Sequence, residues 1–364
     1  MSTVGTAVAV GGLAAGFVLL SRTPRVRATT GMTGDGLISV IVPARDEEVS
    51  LPRLLASLAE QDIGQGGFEV VVVDDGSTDR AAAIARAARA RVVSVDGPPP
   101  GWTGKAWACD VGVRAASGRL LVFLDADTRL AADGLRRLAA EHGREAPDGL
   151  LSVQPYHVTE RAYEQLSAVC NIVPVMAAGL AAARPARSCR VAFGPCLVTT
   201  PDALRAAGGF ESVRAEVVED AALAARFRAL GRRVHCRLGG DSVQFRMYSG
   251  GVRSLYEGWV KSLAGGSVRA GALPTAGAVL WVSGALAVSV ALLRPEPIAL
   301  GLWVAYAAQT WWMLRRLGRF RWWVAPAFPL PTLAFVVCFA ASAAHRLTGR
   351  RVRWRGRRVP LGSG

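Results

Sequence analysis

The stretch Val-Val-Val-Asp-Asp-Gly-Ser-Thr-Asp at residues 71–79 decides the fold class. Its β-branched residues predict a buried strand, and the Gly-Ser-Thr after the two aspartates predicts a turn at the carboxyl end of that strand. A second apolar run, at residues 120–124, leads directly into Asp-Ala-Asp at residues 125–127. Ligands of open α/β sheets bind where the strands end, so the two acidic clusters together indicate a polar site at one sheet edge.

A third strand precedes both acidic clusters. Residues 38–42 read Ile-Ser-Val-Ile-Val, and residues 43–48, Pro-Ala-Arg-Asp-Glu-Glu, then lead into a leucine-rich helix. The resulting order is strand, helix, strand, helix, strand. Consecutive parallel strands joined by helices predict a doubly wound α/β sheet.

These three motifs resemble those of the family 2 inverting glycosyltransferases, whose motifs are Pro-x-x-Asn-Glu, Val-Asp-Asp-Gly-Ser-x-Asp and Asp-x-Asp. This chain has Asp46 where the first motif usually has asparagine. The departure is mild, because both side chains accept hydrogen bonds and cap helices. The resemblance implies an α/β fold of the GT-A type, the fold of nucleotide-diphospho-sugar transferases, and a hexosyltransferase activity.

The resemblance also implies a donor site at the strand ends. The first motif would line the nucleotide, and Asp75 would accept a hydrogen bond from the pyrimidine N–H. Between the acidic clusters, the loop Gly-Trp-Thr-Gly-Lys-Ala-Trp at residues 101–107 carries Lys105, which can reach the donor diphosphate as a point charge. The predicted donor-binding residues are Pro43, Ala44, Arg45, Glu47, Asp75, Lys105 and Asp125.

Simpler structural roles are open for some of these residues. Asp74 or Asp79 can cap the helix that begins near Arg80, since aspartate is a favoured helix N-cap. Lys105 can equally be a solvated surface lysine. These alternatives leave Asp75 as the strongest donor-binding candidate of the second motif.

Asp127 is the predicted metal ligand, with Asp125 as its partner. Alternate residues of an extended segment point the same way, so both carboxylates can share one hard cation. Asp125 can instead face the ribose, or reach the metal through water. The predicted cofactor is Mg²⁺ or Mn²⁺, which would stabilise the departing nucleoside diphosphate by bridging two phosphate oxygens.

Glu219 and Asp220 begin a predicted helix that continues through residues 221–232. Transferases of the resembled family place their catalytic base in such an Asp-containing motif. Adjacent helical residues diverge by about 100°, so only one of the two can face the sugar. Asp220 is the predicted base and Glu219 the second choice. The alternative is an acidic helix N-terminus stabilised by the helix dipole.

Further motifs narrow the resemblance to the 4,4'-diaponeurosporenoate glycosyltransferases of carotenoid biosynthesis. They lie at residues 149–157, 193–195, 245–248 and 257–261. The implied reaction joins glucose from UDP-glucose to the carboxylate of a carotenoid acid, which gives a glucosyl ester. The chain lacks the Gln-x-x-Arg-Trp of processive synthases, which favours a single transfer. The predicted acceptor-side residues are Tyr156, His157, Gly194, Pro195, Arg246 and Tyr248.

Other acceptors remain open. A carboxylate is already ionised at neutral pH and needs no general base, whereas a hydroxyl does. If Asp220 faces the anomeric carbon, a hydroxylated lipid or carotenoid becomes more plausible. A hopanoid or a polyprenyl phosphate is also open, as is a non-catalytic lipid-binding or assembly protein.

The composition indicates a membrane protein. Hydrophobic residues make up 51% of the 364 residues, which is high for a soluble enzyme. Basic side chains follow the first apolar stretch, so we predict an uncleaved anchor instead of a signal peptide, whose charge precedes its apolar core. The uncharged stretches are residues 7–20, 272–293, 298–314 and 322–344.

The predicted organisation has three parts: an N-terminal anchor and basic linker at residues 1–30, a GT-A domain at residues 31–255, and a C-terminal membrane region with a basic tail at residues 256–364. The net charge of +15 does not indicate nucleic acid, because arginines crowd beside the apolar stretches. That placement fits the positive-inside rule and attraction to anionic lipid. The predicted location is the cell membrane, multi-pass, with the catalytic domain cytoplasmic.

Residues 165–183 are uncharged, but a membrane crossing there would put Asp127 and Asp220 on opposite faces of the membrane. Pro174 also interrupts the helix. We predict an interfacial helix that admits a hydrophobic acceptor, with a buried core helix as the alternative.

The prolines of residues 322–344 are expected to leave only about 14 helical residues there, too short to span the membrane core. The sequence therefore predicts a bent or re-entrant element that keeps the basic tail cytoplasmic.

The six cysteines show no Cys-x-x-Cys and no spacing typical of a zinc site. Neither a disulfide framework nor a metal framework is expected, and the thiols of a reduced cytosolic domain are the simplest interpretation. They are Cys109, Cys170, Cys189, Cys196, Cys236 and Cys338.

Overall fold

The computed structural model describes residues 1–29, 36–63, 67–184, 186–269, 271–349, 351–354 and 357–360. Part of the predicted basic linker, residues 30–35, lies outside the described residues, as do Arg350 and Arg355 of the predicted basic tail.

Helices and strands alternate along most of the chain. In chain order they are α1 (Thr3–Leu20), β1 (Ile38–Ala44), α2 (Leu51–Ala59), β2 (Phe68–Asp75), α3 (Ala81–Ala87), β3 (Arg91–Val95), α4 (Gly104–Ala115), β4 (Leu120–Leu124), β5 (Thr128–Leu130), α5 (Gly134–Glu145), β6 (Leu150–Gln154), β7 (Tyr156–Val158), α6 (Ser167–Ala178), β8 (Cys196–Thr199), α7 (Pro201–Ala206), α8 (Glu219–Ala229), β9 (Val234–Leu238), β10 (Val243–Phe245), α9 (Val252–Arg269), α10 (Ala272–Ala291), α11 (Pro297–Leu317), β11 (Gly318–Arg319), α12 (Pro329–Leu347), β12 (Arg351–Trp354) and β13 (Arg357–Pro360).

The described residues form two compact units. The sheet unit contains those of residues 25–156, 187–246 and 353–360, and the helical unit contains those of residues 1–24, 157–186 and 247–352. Both units are discontinuous in sequence, whereas the predicted domains are continuous segments. In particular, α6 and its flanking residues belong with the N- and C-terminal helices, although they lie between Asp127 and Asp220 in the sequence.

The sheet unit is built on a seven-stranded sheet of order β3-β2-β1-β4-β8-β6-β9. The pairs β1–β2, β1–β4, β2–β3 and β6–β9 are parallel, as the sequence predicts for the first strands, and β8 runs antiparallel to both its neighbours. Residues 38–42 are all buried. Apolar runs of this kind are typical of strands that are covered on both faces.

The strand register brings the acidic motifs to one sheet edge. Ala44, the last residue of β1, is paired with Asp74, and Ile41 is paired with Phe123 in β4. The chain therefore leaves β1, β2 and β4 on the same side. The antiparallel β8 begins at that edge, because Cys196 is paired with Leu124.

Helix α4 is held tightly against the sheet through a glycine. A Cβ atom on Gly112 would lie 2.4 Å from Cγ2 of Ile41 and 3.3 Å from Cγ2 of Val73, both buried in central strands. The missing side chain thus allows the helix to approach β1 and β2 closely. The same helix carries Lys105 in its first turn.

The helical unit is stabilised by polar contacts among apolar helices. The Tyr306 hydroxyl donates to the Ala9 carbonyl at 3.1 Å, and Gln309 Nε2 donates to the Leu13 carbonyl at 2.7 Å. Gln309 Oε1 in turn accepts from Trp281 Nε1 at 2.8 Å. Hydrogen bonds of this kind between helices are common in membrane proteins, where an unsatisfied polar group is costly.

Three helices of the described chain are long and apolar enough to cross a membrane: Thr3–Leu20, Ala272–Ala291 and Pro329–Leu347. Thr3–Leu20 contains the predicted stretch 7–20, and Ala272–Ala291 covers the predicted stretch 272–293 except its last two residues. The stretch 298–314 lies in α11, which is also a long helix but is not among these three.

The length predicted for the last helix is wrong. Helix α12 has 19 residues, where about 14 were expected. Pro329 and Pro331 lie in its first turn, where a backbone N–H has no helical partner and proline is tolerated. At about 1.5 Å per residue the helix is nearly as long as a membrane core is thick, so the argument for a re-entrant element loses its basis.

Helix α6 matches the alternative interpretation of residues 165–183, which is a buried core helix. Eight of its residues are buried: Ser167, Ala168, Val169, Cys170, Asn171, Ile172, Val175 and Met176. It contains Pro174 and ends at Gly179, which has a left-handed conformation. A helix so extensively buried within the helical unit corresponds to a core helix more closely than to an interfacial one.

Two helical glycines allow a matched test of how α4 is seated. Gly112→Ala should lower the free energy of unfolding by about 1–3 kcal/mol, because the new methyl group overpacks the contact with Ile41. Gly143→Ala in α5 meets nothing within 4 Å and should raise it by up to about 1 kcal/mol, because alanine favours helix. Thermal unfolding of the detergent-solubilised protein measures both, and equal effects of the two variants would contradict the close approach.

Candidate active site

The first two strand ends are joined by Arg45. Its guanidinium Nη1 donates to the carbonyls of Asp75 and Gly76, at 2.5 and 3.2 Å. Arg45 therefore holds the turn after β2 against the end of β1. Asp75 itself is buried, with 4% of its surface exposed, at the last position of β2.

Asp46 has a special backbone conformation. Its φ of 51° is in the left-handed region, which aspartate and asparagine tolerate better than most residues. Its Oδ1 accepts from the Thr78 N–H at 2.7 Å and from the Thr78 hydroxyl at 3.1 Å. An asparagine carbonyl could accept the same bonds, which explains why aspartate can replace the usual asparagine here.

Helix capping, the simpler role predicted for Asp74 or Asp79, is observed for Asp79, whereas Asp74 stabilises the preceding turn. Asp79 Oδ1 accepts from the Ala81 N–H at 2.9 Å, at the start of α3, and its Oδ2 accepts from the Glu48 N–H at 2.8 Å. Asp74 Oδ1 accepts from the Ser77 N–H at 3.1 Å. These carboxylates hold the turns at the strand ends in shape.

The Asp-Ala-Asp motif lies where β4 ends. Ala126 is buried, while Asp125 and Asp127 on either side are partly exposed. The Asp125 N–H donates to the Pro195 carbonyl at 3.0 Å, and the Arg246 N–H donates to the Asp127 carbonyl at 3.0 Å. The predicted acceptor-side residues Pro195 and Arg246 are therefore next to the predicted metal ligands.

Lys105 is the centre of the site. Its ammonium Nζ lies 2.7 Å from Oδ1 of Asp125 and 3.2 Å from Oε1 of Glu219, and it donates to the Gly194 carbonyl at 3.5 Å. The loop before it is fixed by a bond from the Thr103 N–H to the Arg214 carbonyl at 2.7 Å. Lys105 is thus not the solvated surface lysine of the alternative interpretation.

Gly194 packs against the predicted base. A Cβ atom at this position would lie 2.7 Å from Oδ2 of Asp220 and 3.1 Å from the Lys105 Nζ. A side chain at position 194 would force the Asp220 carboxylate or the Lys105 ammonium to shift. Gly194, Lys105 and Asp220, predicted on the acceptor side, on the donor side and as the base, are therefore neighbours in space.

The charged groups of the site shift one another's pKa values. Burial alone would lower the pKa of Lys105, but Asp125, Glu219 and Asp220 outweigh it and raise that pKa. Burial raises the pKa of Asp220 to about 7, and the charge of Glu219 adds to the shift while Lys105 opposes it. A carboxyl group with such a pKa can exchange protons near neutral pH.

Glu219 and Asp220 differ in their surroundings, although both lie in the first turn of α8. Glu219 is buried, with 6% of its surface exposed, and is paired with Lys105. Asp220 is partly exposed and lies beside Gly194. The ion pair of Glu219 was not expected from the sequence, because a spacing of more than a hundred residues gives no signal for a contact.

The remaining acceptor-side candidates lie in other surroundings. In the helical unit, His157 is fully buried, and its Nδ1 lies 2.6 Å from Nδ2 of Asn171. Burial lowers the pKa of His157 to about 4, so the ring is neutral at physiological pH. Tyr248, in the same unit, donates to or accepts from Ser262 Oγ at 2.9 Å. In the sheet unit, Tyr156 begins β7 and is partly exposed.

A second cluster of potential metal ligands was not predicted from the sequence. The ligand atoms of Glu141, Glu145 and His235 lie within 4.8 Å of one another, on α5 and β9. Burial would raise the pKa of Glu141, but hydrogen bonds from His235 and two arginines outweigh it and lower that pKa. The two glutamates are paired with Arg27, Arg144, Arg233 and Arg237. This excess of positive charge disfavours a cation, so the cluster is an ion-pair network.

Comparison with known proteins identifies the family. The family described as Glycosyl transferase family 2 matches residues 39–170, which contain the three strand-end motifs and Lys105. The chain is also 32% identical to the 4,4'-diaponeurosporenoate glycosyltransferase of Staphylococcus aureus (strain MRSA252), over 99% of this chain and 98% of the relative. The chain belongs to glycosyltransferase family 2. The predicted family and enzyme class of this glycosyltransferase are thereby confirmed.

The fold of this glycosyltransferase also resembles a solved structure, the mannosyltransferase PcManGT from Pyrobaculum calidifontis in complex with GDP-Man and Mn²⁺. The TM-score is 0.54 at 19% sequence identity, and the comparison covers 94% of this chain and 99% of the other. The predicted GT-A fold class with apolar terminal helices is confirmed.

The raised pKa of Asp220 predicts a pH-dependent stability. The folded protein holds this proton more tightly than the unfolded chain, so the stabilisation is present below about pH 4 and is lost as the pH rises to about 7. Asp220→Asn removes the titration, so the variant should gain stability relative to the wild type between about pH 5 and about pH 8. Unfolding midpoints in EDTA at both pH values measure the gain.

Asp202→Asn is the control, because this carboxylate lies on the surface of α7 with a side chain that is 90% exposed. Its effect on the midpoint should stay small at both pH values. A gain of the same size in both variants would argue against a raised pKa of Asp220.

Proposed function

We propose that this glycosyltransferase moves a single glucose from UDP-glucose to the carboxylate of a carotenoid acid, which gives a glucosyl ester. The observation that carries the proposal is the relative named 4,4'-diaponeurosporenoate glycosyltransferase, which is 32% identical over nearly the whole of both chains. The similarity thus extends beyond the nucleotide-sugar motifs of residues 39–170 into the C-terminal helices.

The reaction requires a donor phosphate, an anomeric carbon and an acceptor oxygen in one place. The acceptor oxygen forms the new bond to the anomeric carbon while the bond to the nucleoside diphosphate breaks. Lys105 supplies positive charge between Asp125 and Asp220, where the negative charge of the leaving group would develop. Because Gly194 has no side chain, the Asp220 carboxylate and the Lys105 ammonium can lie close to its backbone.

We propose Asp127 as the principal ligand of Mg²⁺ or Mn²⁺, with Asp125 assisting. The donor set fits a hard cation, since both groups are carboxylates that emerge on either side of the buried Ala126. Asp125 is already paired with Lys105 at 2.7 Å, which supports the larger share for Asp127. When bound, the metal would neutralise charge on the donor diphosphate.

A second acceptor class is favoured by Asp220. A carboxylate acceptor needs no general base, yet Asp220, a partly exposed carboxyl group beside Lys105 and Gly194, has a pKa of about 7. Such a group suits the deprotonation of a hydroxyl. A hydroxylated lipid or carotenoid is therefore the alternative acceptor.

We propose that the enzyme is bound to the cell membrane through several helices, with its catalytic residues in the cytoplasm. Support comes from the three apolar helices and from the arginines beside them, which favour the cytoplasmic side. Membrane attachment would give the enzyme access to an acceptor that dissolves in lipid.

The deciding experiment supplies membranes containing the enzyme with radiolabelled UDP-glucose and either a carotenoid acid or the corresponding alcohol. Labelled lipid that loses its glucose in mild alkali is an ester, whereas an alkali-stable product is a glucoside of a hydroxyl acceptor. Other UDP-sugars in parallel test the donor. The absence of any labelled lipid would refute both proposals.

The metal proposal predicts the effect of Asp127→Ala. Transfer should fall by roughly 100-fold or more, since a bound metal supplies several kcal/mol of charge stabilisation. Protein abundance in the membrane should stay near the wild-type level, because Asp127 is a partly exposed residue outside the core. EDTA should reproduce the loss, and added Mn²⁺ should reverse it in the wild type only.

Asp202→Ala serves as the matched control, since it removes an exposed carboxylate of the same unit. Transfer by this variant should stay at the wild-type rate. Activity that survives both EDTA and Asp127→Ala would exclude the metal role.

The base proposal predicts that Asp220→Asn separates the two acceptor classes. With a hydroxyl acceptor, kcat should fall by roughly 100-fold or more while KM for the donor changes little, because a general base acts in the transition state. With a carotenoid acid, kcat should change much less. Steady-state kinetics with both acceptors decide this, and equal losses would contradict a role limited to deprotonation.

A further inference from the structure

Three oxygen atoms surround the Lys105 ammonium much as ligands surround a metal ion. They are Oδ1 of Asp125 at 2.7 Å, Oε1 of Glu219 at 3.2 Å and the Gly194 carbonyl oxygen at 3.5 Å. The three come from the end of β4, the start of α8 and the segment before β8. Carboxylate and carbonyl oxygens are also the ligands of hard divalent cations. The ammonium thus occupies a position whose surroundings suit a cation.

Asp125 is shared between this position and the proposed metal site. Its Oδ1 contacts the Lys105 ammonium, and it lies two residues before Asp127 where β4 ends. A divalent ion held by both aspartates would therefore lie close to the ammonium. Like charges at such a range repel each other, so Lys105 weakens the binding of a metal to Asp125.

Glu219 keeps the ammonium at this position. It is 6% exposed and is paired with the Lys105 Nζ. A buried carboxylate that loses its partner is strongly destabilised, so Glu219 favours the conformation in which Lys105 also contacts Asp125. Glu219 is not among the proposed metal ligands. It can therefore hold the ammonium without contributing to metal binding.

The Lys105 side chain can respond to a bound diphosphate. It begins in the first turn of α4, and 28% of it is exposed, as is 29% of the Asp125 side chain. A lysine side chain combines a flexible four-carbon stem with a compact charge. Phosphate oxygens bind both ammonium groups and divalent ions. A diphosphate between the two cations would therefore replace their repulsion with a shared attraction.

We propose that Lys105 couples metal binding to donor binding: its ammonium holds the cation position beside Asp125 until a nucleoside diphosphate draws it away. The protein alone then binds the metal weakly, and the protein with a nucleoside diphosphate binds it tightly. This inference rests on the proposed function for the metal role of Asp125 and Asp127. It gives Lys105 a part in the order of binding, in addition to its contact with the donor.

The experiment measures Mn²⁺ binding to the full chain in detergent, through the loss of the electron paramagnetic resonance signal of free Mn²⁺. Lys105→Met removes the ammonium and keeps most of the length of the side chain. Without nucleotide, this variant should bind Mn²⁺ roughly tenfold or more tightly than the wild type, because the like charge beside Asp125 is gone. A purely structural role of Lys105 predicts the opposite, a loss of affinity.

Lys261→Met is the matched control, because Lys261 is the other lysine of the chain and lies in α9. Its Mn²⁺ affinity should equal that of the wild type. Saturating UDP should tighten Mn²⁺ binding by the wild type roughly tenfold or more, after correction for Mn²⁺ bound to UDP in solution, and by Lys105→Met much less. Added Mn²⁺ must tighten UDP binding by the same factor in each protein.

A double variant answers the same question if Lys105→Met does not fold. Lys105→Met/Glu219→Gln removes one positive and one negative charge, so the net charge of the site is kept. Without nucleotide, it should still bind Mn²⁺ roughly threefold or more tightly than the wild type, because the charge in contact with Asp125 is the one that Lys105 carries.

The outcomes separate this inference from the proposals on which it rests. Equal Mn²⁺ affinities of the wild type and the folded Lys105 variants would overturn the inference and leave the metal role intact. If neither the wild type nor the variants bind Mn²⁺, with or without UDP, the metal role and the inference both fail. A wild type that binds Mn²⁺ and UDP but transfers no glucose would refute only the proposed reaction, since the binding measurements need no acceptor.

Discussion

The candidate active site depends on the position of one ammonium group, that of Lys105. Asp125 follows β4, whereas Glu219 and Asp220 begin α8, and three carboxylates at such close range would repel one another. Lys105 lies 2.7 Å from the first and 3.2 Å from the second, and it is stabilised by the charge of all three. Coulomb interactions of this kind are strong away from bulk water, so the ammonium makes the convergence of these acids possible.

The sheet supplies the scaffold for that ion pair. Parallel β1, β2 and β4 end at the same edge, and the antiparallel β8 begins there. Because β8 runs the other way, the residues that precede it reach the site, which is how Gly194 meets Asp220. The glycine at position 112 lets α4 lie close enough to the sheet for Lys105 to extend to this edge. Strand direction and helix packing together thus bring the candidate site residues to one sheet edge.

Sequence patterns predicted the parts that are encoded locally. The apolar runs ending in acids predicted the strands and the edge at which they meet, since strand periodicity and turn residues are short-range signals. Contacts between distant segments were not predicted, such as Glu219 beside Lys105 and Gly194 beside Asp220. The antiparallel direction of β8 was not predicted either. The helical length of α12 was underestimated because proline is tolerated in a first turn. The residues of the strand-end motifs could be chosen as candidates because each lies at the end of a recognisable element, and their roles stay predictions.

The contacts of Lys105 restrict which substitutions the chain can tolerate at this position. The protein has 43 basic residues, and all except Lys105 and Lys261 are arginine. Arginine is therefore the usual basic residue of this chain, as expected at positions where only positive charge matters. At position 105 a compact ammonium meets two carboxylates and a carbonyl from three directions, which a larger planar group cannot match. The chain uses arginine almost everywhere else, but the contacts at position 105 require lysine. A Lys105→Arg substitution would therefore disturb these contacts.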